Sequence, residues 1–345
     1  MEDRGKAGGE TQVRRLLAHS LMIFSFLSWG LAATGPVTGG YHIDHGDNAV
    51  IDAHGTKKKV TNNHASGLTI YVPTNTSTEW STYVAKPPPG VTIEDVSICP
   101  SGYVQVPAMA PYTTQDFCVA KYEMKNVGGV ATSQAAGTPW VNIDRNNART
   151  QCSNLGTGYS LITNAQWQTI ARNITEVAAN WSGKAVGSGA LNRGHSDNSP
   201  ASALQASADD TEACFGTDQT CSNTVWHDQR RTHVLSNGEV IWDFAGNVWE
   251  WVYDDYNTLG VSPAISSGWN ECNTLSETNR ALFCPSNGTW TSAQGIGQIR
   301  GGSAGAVLRG GRWDGGTYAG VFLAHLDHGP TYSSTSVGFR CVFVP

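Results

Sequence analysis

Charge is scarce in this sequence: Asp, Glu, Lys and Arg make up 14% of its 345 residues, the net charge is −6 and the isoelectric point is near 5.9. There is no broad basic field to neutralise a phosphate backbone, which argues against nucleic acid as a partner. No C-x-x-C pair and no Cys/His cluster of zinc-finger spacing occurs, so a structural zinc of that kind is not expected. No H-E-x-x-H pair and no phosphate-cradling glycine loop is present, and no serine nucleophile elbow is expected, which removes the readily recognised hydrolase and nucleotide-binding classes. Residues 180–345 show no long helical period, so the chain is no helical bundle.

What is present fits a loop-rich globule with an aromatic core: 39 Gly and 12 Trp, with 39% hydrophobic residues to bury. Arg14 and Arg15 stand directly before an apolar run from Leu16 to Ala33. That pattern reads as an export signal, with Gly30 and Ala32 at the −3 and −1 positions of a cleavage site, or as a membrane anchor if uncleaved. The protein is therefore expected to be secreted or displayed on a cell surface or virion. Its eight cysteines form an even set in an exported chain, which calls for disulfides. Cys214 with Cys221 and Cys272 with Cys284 would close short loops, Cys99 with Cys118 can do the same, and Cys152 with Cys341 is left as a long-range tie.

Texture changes along the chain. Residues 34–95 are polar with short β-like runs and end in "KPPPG", a stiff connector, so they read as a small β-rich module. From residue 96 onward a main domain is expected. Two helices stand out in it: "DRNNARTQCSNLG" opens at a capping Asp144 and stops at Gly156, and "TNAQWQTIARNI" has Thr163 and Gln166 at capping-box spacing. The second puts Trp167, Ile170, Ala171 and Ile174 on one face. Two helices followed by long loops and short strands indicate an α+β domain.

Two stretches carry candidate chemistry. In "WDFAGNVWEWVYDD", residues 242–255, the Trp residues read as core, while Asp243 and Glu250 flank a Gly-containing turn with the hard oxygen ligands that Ca²⁺ accepts; a turn-capping network is the plainer alternative. His42, His45, His54 and His64 are too irregularly spaced to define a metal site. In the C-terminal segment, Gly310, Gly311, Trp313, Ala319, Phe322, Leu326, Gly338 and Phe339 belong to a small, apolar or turn-forming frame. Arg312, Asp314, Gly315, Tyr318, Leu323, His325, Asp327, His328, Tyr332, Ser334 and Ser336 are threaded through it and share no single chemistry. A catalytic site needs particular acids, bases and nucleophiles in register. This mixture instead has the character of a paratope, in which Tyr supplies rigid contact area and Ser, Gly, Asp and His supply adaptable polar contacts.

The motifs "FCVAKYEM", "YSLITNAQWQTIAR", "DFAGNVWEWV", "VLRGGRW" and "VGFRCV", in this order, resemble the formylglycine-generating-enzyme-like branch of the C-type lectin fold. In the enzymes of that branch a cysteine pair after the RGG-S-W motif forms a copper oxidase site; here Asp314 to Leu326 holds no cysteine, and the iron-binding histidines of related sulfoxide synthases are not visible. The resemblance extends to the variable proteins of diversity-generating retroelements, through "LNRGHSDNSPASALQASADD", "RRTHVLSNGEVIWDFAGNVWEWV" and the "LRGGRW…GVF…GP…VGFR" ending. In such proteins a reverse transcriptase miscopies adenines, so that Asn codons become nearly any codon ending in C, and Lys, Glu, Gln, Met and Trp are out of reach. None of the eleven interspersed residues is of those five types. The resemblance also implies Ca²⁺ at Asp243 and Glu250 with carbonyls of Gly246 and Val248, and Trp313 and Phe322 as anchors of the frame.

The expectation is a non-catalytic display protein whose residues from about 307 to 341 bind a protein or glycan on a cell or virus surface, with no cofactor required and a structural Ca²⁺ as an option. The alternatives are an oxidase or other enzyme on the same scaffold, or a structural protein of a virion or cell surface. His325 and His328 lead one to expect binding that responds to pH between about 5 and 7.

Overall fold

The computed structural model describes residues 33–345 except 38–39, 54–55, 96–97 and 223–224. The basic leader and the proposed cleavage site at Gly30 and Ala32 lie outside the described residues, as does His54. The chain forms two compact units, one ending at residue 97 and the other running from Ile98 to Pro345. No helix among the described residues is long and apolar enough to cross a membrane.

In the first unit, β1 (Ala33–Val37), β2 (Gly40–Ile43) and β5 (Ile70–Pro73) form one antiparallel sheet; β3 (Asn48–Ala53), β4 (Thr56–Asn62) and β6 (Val91–Asp95) form another. Ile43, Ile51, Val60, Val72 and Trp80 bury its core. The unit also holds a helix, α1 (Ser77–Ala85), where only strands were expected. Its start is a capping box: Thr76 Oγ1 accepts from the Glu79 amide, and the Glu79 carboxylate accepts from the Thr76 amide, both at 3.1 Å.

The second unit begins with β7 (Tyr103–Val106), β8 (Phe117–Ala120) and a hairpin of β9 (Lys125–Val127) and β10 (Val130–Thr132). Helix α2 (Arg145–Ser153) starts where Asp144 accepts from the Asn147 amide. After β11 (Tyr159–Leu161), helix α3 (Asn164–Thr175) opens on the Thr163/Gln166 capping box. Trp167, Ile170, Ala171 and Ile174 are all fully buried, and Trp167 stacks on Phe244 at 3.9 Å while its indole donates to the Val321 carbonyl. Then follow β12 (Thr232–Val234), β13 (Val240–Trp242), β14 (Trp249–Asp255), β15 (Gly268–Asn270) and a third helix, α4 (Glu277–Phe283). At seven residues α4 is too short to show a period, although Ser276 caps it.

The chain finishes with β16 (Ile299–Gly301), β17 (Ala306–Arg309), β18 (Ala324–His325), β19 (Val337–Phe339) and β20 (Cys341–Phe343). Four of these strands join β14 and β15 in one six-stranded sheet in the order β15-β16-β18-β17-β14-β19, while β20 inserts between β11 and β8 in a four-stranded sheet. Thus β16, β17, β18 and β20 occupy sheet interiors while β19 lies at an edge, and loops join them. All eight cysteines pair as expected: Cys99–Cys118, Cys152–Cys341, Cys214–Cys221 and Cys272–Cys284. The Cys152–Cys341 bond ties the end of α2 to β20.

Candidate ligand-binding face

The turn before β14 is fixed by close backbone approach. Gly246 sits at φ 76°, and a Cβ there would lie 2.4 Å from the His195 carbonyl oxygen, so only glycine fits. Asn247 donates to the Glu123 carboxylate at 2.5 Å, its side-chain oxygen accepts from the Leu204 amide at 2.8 Å, and the Val248 amide donates to Glu123 Oε1. Burial, reinforced by the charge of Asp243, pushes Glu123 well above the ordinary carboxylate range.

The calcium expectation is corrected at this turn. Both Asp243 oxygens accept from Arg231, Oδ1 from Nε and Oδ2 from Nη2, each at 2.7 Å. Glu250 accepts from Arg340 at 2.7 and 3.0 Å, and all four of these side chains are buried. Two guanidinium groups thus meet the carboxylates where a cation would have to sit, so Asp243, Gly246, Val248 and Glu250 do not fit a calcium cage. The turn-capping network is what the sequence builds. Neither arginine was legible as a partner: Arg231 reaches its acid only through the pairing of β12 with β13, and Arg340 lies 90 residues beyond its own.

The C-terminal segment leaves β17 through Gly310 and Gly311, at φ 82° and 110°; a Cβ on Gly311 would fall 2.7 Å from that of Ala319. Phe322 and Leu326 are fully buried in the core, whereas Trp313 is half-buried and is held instead by its backbone, which donates to Asn247 and accepts from Asn198. Trp313 is therefore no core anchor. Of the eleven interspersed residues, Asp314 and Tyr318 are exposed, and Arg312, Gly315, Asp327, His328, Tyr332 and Ser334 are half-buried. Leu323, His325 and Ser336 are buried, at 1%, 5% and 1% exposure. Leu323 packs in the cluster of Trp249, Trp251 and Phe339, so it supports the face without reaching a ligand. Ser336 sits beneath Ser334, their hydroxyls 3.1 Å apart.

The remaining side chains assemble into one connected patch. Tyr318 stacks on Trp269 at 4.5 Å, Trp269 meets His325 edge-on at 5.4 Å, His325 stacks on His328 at 4.7 Å, and His328 stacks on Tyr332 at 3.8 Å. Arg312 lies over Trp249 and pairs with Asp314 at 2.5 Å; Arg300 pairs with Asp327 at 2.9 Å. Trp249, Trp269 and Arg300 belong to this patch although nothing in the C-terminal segment points to them. Burial pushes the His325 imidazole down to about 4, against the opposing pull of Asp327, and burial lowers His328 as well. His325 therefore stays neutral across the window in which it was expected to titrate.

One G-x-S-x-G spacing does occur, at Gly301 to Gly305, but it joins β16 to β17 with no following helix, so Ser303 is an exposed loop residue and no nucleophile elbow. Every cysteine is in a disulfide, and none lies between Asp314 and Leu326.

Short strands, three small helices and long loops around a mixed six-stranded sheet define an α+β, C-type lectin-like domain. The chain belongs to the family of the sulfatase-modifying factor enzyme 1-like domain, whose model matches residues 43–344. Among solved structures it is similar to Treponema denticola variable protein 1, at 14% identity over 70% of this chain and 92% of that one, with a TM-score of 0.33. It is also similar to the Major Tropism Determinant P3c variant, at 14% identity over 90% of this chain and 66% of that one, TM-score 0.37. PvdO from Pseudomonas aeruginosa is a third, at 12% identity over 71% and 92%, TM-score 0.32. A search of the curated proteins finds no match.

Proposed function

We propose that this chain is a non-catalytic binding protein, displayed outside the cell or on a virion, whose C-terminal face is diversified by a retroelement and recognises a protein or glycan on another surface. The observation that carries the reading is the connected patch of Tyr318, Trp269, His325, His328 and Tyr332, bordered by Arg312, Asp314, Arg300 and Asp327. Stacked aromatic rings give rigid contact area, and the paired charges around them give selectivity, which is how a paratope is composed. Four disulfides suit an oxidising compartment. The absence of any cysteine between Asp314 and Leu326 supports the non-catalytic reading over an oxidase.

The test is to sequence the 3′ end of this gene from many individuals of one population. Changes concentrated at the codons of Arg312, Asp314, Tyr318, Asp327, His328 and Tyr332, with Gly310, Gly311, Gly338 and Phe339 constant, are expected. Changes spread evenly along the segment, or none at all, would overturn the reading.

A further inference from the structure

We infer that His325, Asp327 and His328 form a binding site for a divalent transition-metal ion of the zinc type. The inference stands on these three side chains alone, whether or not the face varies between copies of the gene.

Their donor atoms already converge. His325 Nδ1 lies 2.8 Å from Asp327 Oδ1, His328 Nε2 lies 3.8 Å from the same oxygen, and all three donors fall within 4.8 Å of one another. Ligands at ordinary zinc–nitrogen and zinc–oxygen distances sit about 3 to 4 Å apart around one ion, so closure asks for a shift on the order of 1 Å together with rotation of the half-buried His328 ring out of its parallel stack on His325. Two of the donors also lack another occupation. Despite the 2.8 Å approach, neither His325 Nδ1 nor Asp327 Oδ1 makes a hydrogen bond, and His325 is 5% exposed. Buried polar atoms without partners are costly and rare, and a cation between these two would satisfy both.

The surroundings hold Asp327 and His325 in place. Arg300 Nε takes the other Asp327 oxygen at 2.9 Å, which orients the carboxylate and leaves Oδ1 toward the histidines. His325 is in β18 with its ring between Trp249 and Trp269, and the His328 ring is stacked between His325 and Tyr332. Supported ligands of this kind are what a metal site requires. Two imidazoles and one carboxylate suit zinc and its borderline neighbours better than calcium or magnesium, which prefer all-oxygen shells. Three protein ligands leave a fourth position, and the partial exposure of Asp327 and His328 opens it outward, where a donor atom of a bound partner could complete the shell.

The experiment is a calorimetric titration of the full, disulfide-bonded chain, free of any polyhistidine tag, with Zn²⁺. The variants Asp327→Asn and His328→Gln run in parallel, both at positions exposed enough to leave the fold intact. One Zn²⁺ per chain is expected, with affinity reduced at least tenfold in each variant and thermal unfolding of the metal-free variants unchanged. Co²⁺ in place of Zn²⁺ should give the absorption bands of a tetrahedral site in the parent chain and lose them in both variants. Absence of binding, binding in either variant as strong as in the parent chain, or equal binding of Ca²⁺ would each overturn the inference.

Discussion

His233 shows how a single buried side chain sets the protein's response to acid. It lies in β12, wholly buried, with Nε2 3.2 Å from the Asn192 carbonyl and Nδ1 unpartnered. Burial, with the neighbouring Arg230 charge acting in the same direction, pushes its imidazole down to about 3 against the pull of the Asn192 hydrogen bond. The unfolded chain binds a proton near the ordinary value of 6.5 while the folded chain does not, so the stability this residue confers is complete above that value and is lost as pH falls toward 3. By pH 5 the loss amounts to about 2 kcal/mol. Urea unfolding at pH 7 and pH 5 should therefore show a drop in the parent chain that is smaller by about this amount in His233→Gln. Equal drops in both proteins would show that His233 takes up its proton without unfolding. Leu323 makes a related point: it lies in a wholly buried run from Ala319 to Leu326, and its side chain joins Trp251 and Phe339 in the core. A position can lie within the stretch proposed to vary and still be confined to apolar residues by packing.

At the scale of elements, the turn before β14 and the strand β14 are joined to distant parts of the chain by ion pairs. Arg340, between β19 and β20, donates to Glu250 and also to the carbonyls of Ala120 and Trp242 at 2.8 and 2.9 Å. It therefore links β14 to the end of β8 and of β13. Replacing it leaves a buried carboxylate and two carbonyls without a donor, so Arg340→Met is expected to cost about 3 to 5 kcal/mol in chemical unfolding. Millimolar Ca²⁺ should shift neither the parent nor the variant; a calcium-dependent rise in either would return the ion to this turn. The elements themselves were unequally legible in the sequence. Helices α2 and α3 could be read because Asp144 and Thr163 cap them and α3 carries a full apolar face. Helix α1 has a capping box at Thr76 and Glu79 but only one buried residue, Trp80, and so presents no stripe. The disulfides were legible because three of the four join cysteines close in sequence, which leaves one pairing for the fourth.

For the whole molecule, the motifs carried the fold, whereas the make-up of the face depended on which way loop side chains turn. Between β17 and β19 neither a period of two nor one of 3.6 governs orientation, so nothing local separated inward Leu323, His325 and Ser336 from outward Asp314 and Tyr318. Trp249, Trp269 and Arg300 reach the face from other strands of the same sheet, a proximity only the strand order β15-β16-β18-β17-β14-β19 creates. Within this segment the frame, Trp313 apart, and the inward residues are buried in the fold, and the outward ones are those proposed to vary. The most direct measurement replaces Arg312, Asp314, Tyr318, Asp327, His328, Tyr332 and Ser334 together by Asn and compares unfolding with that of the single variant Leu323→Asn. The combined variant should fold and lose no more than about 0.5 kcal/mol per position, while Leu323→Asn alone should lose about 2 to 5 kcal/mol. A combined variant that fails to fold, or a Leu323→Asn chain as stable as the parent, would contradict the separation of frame from face.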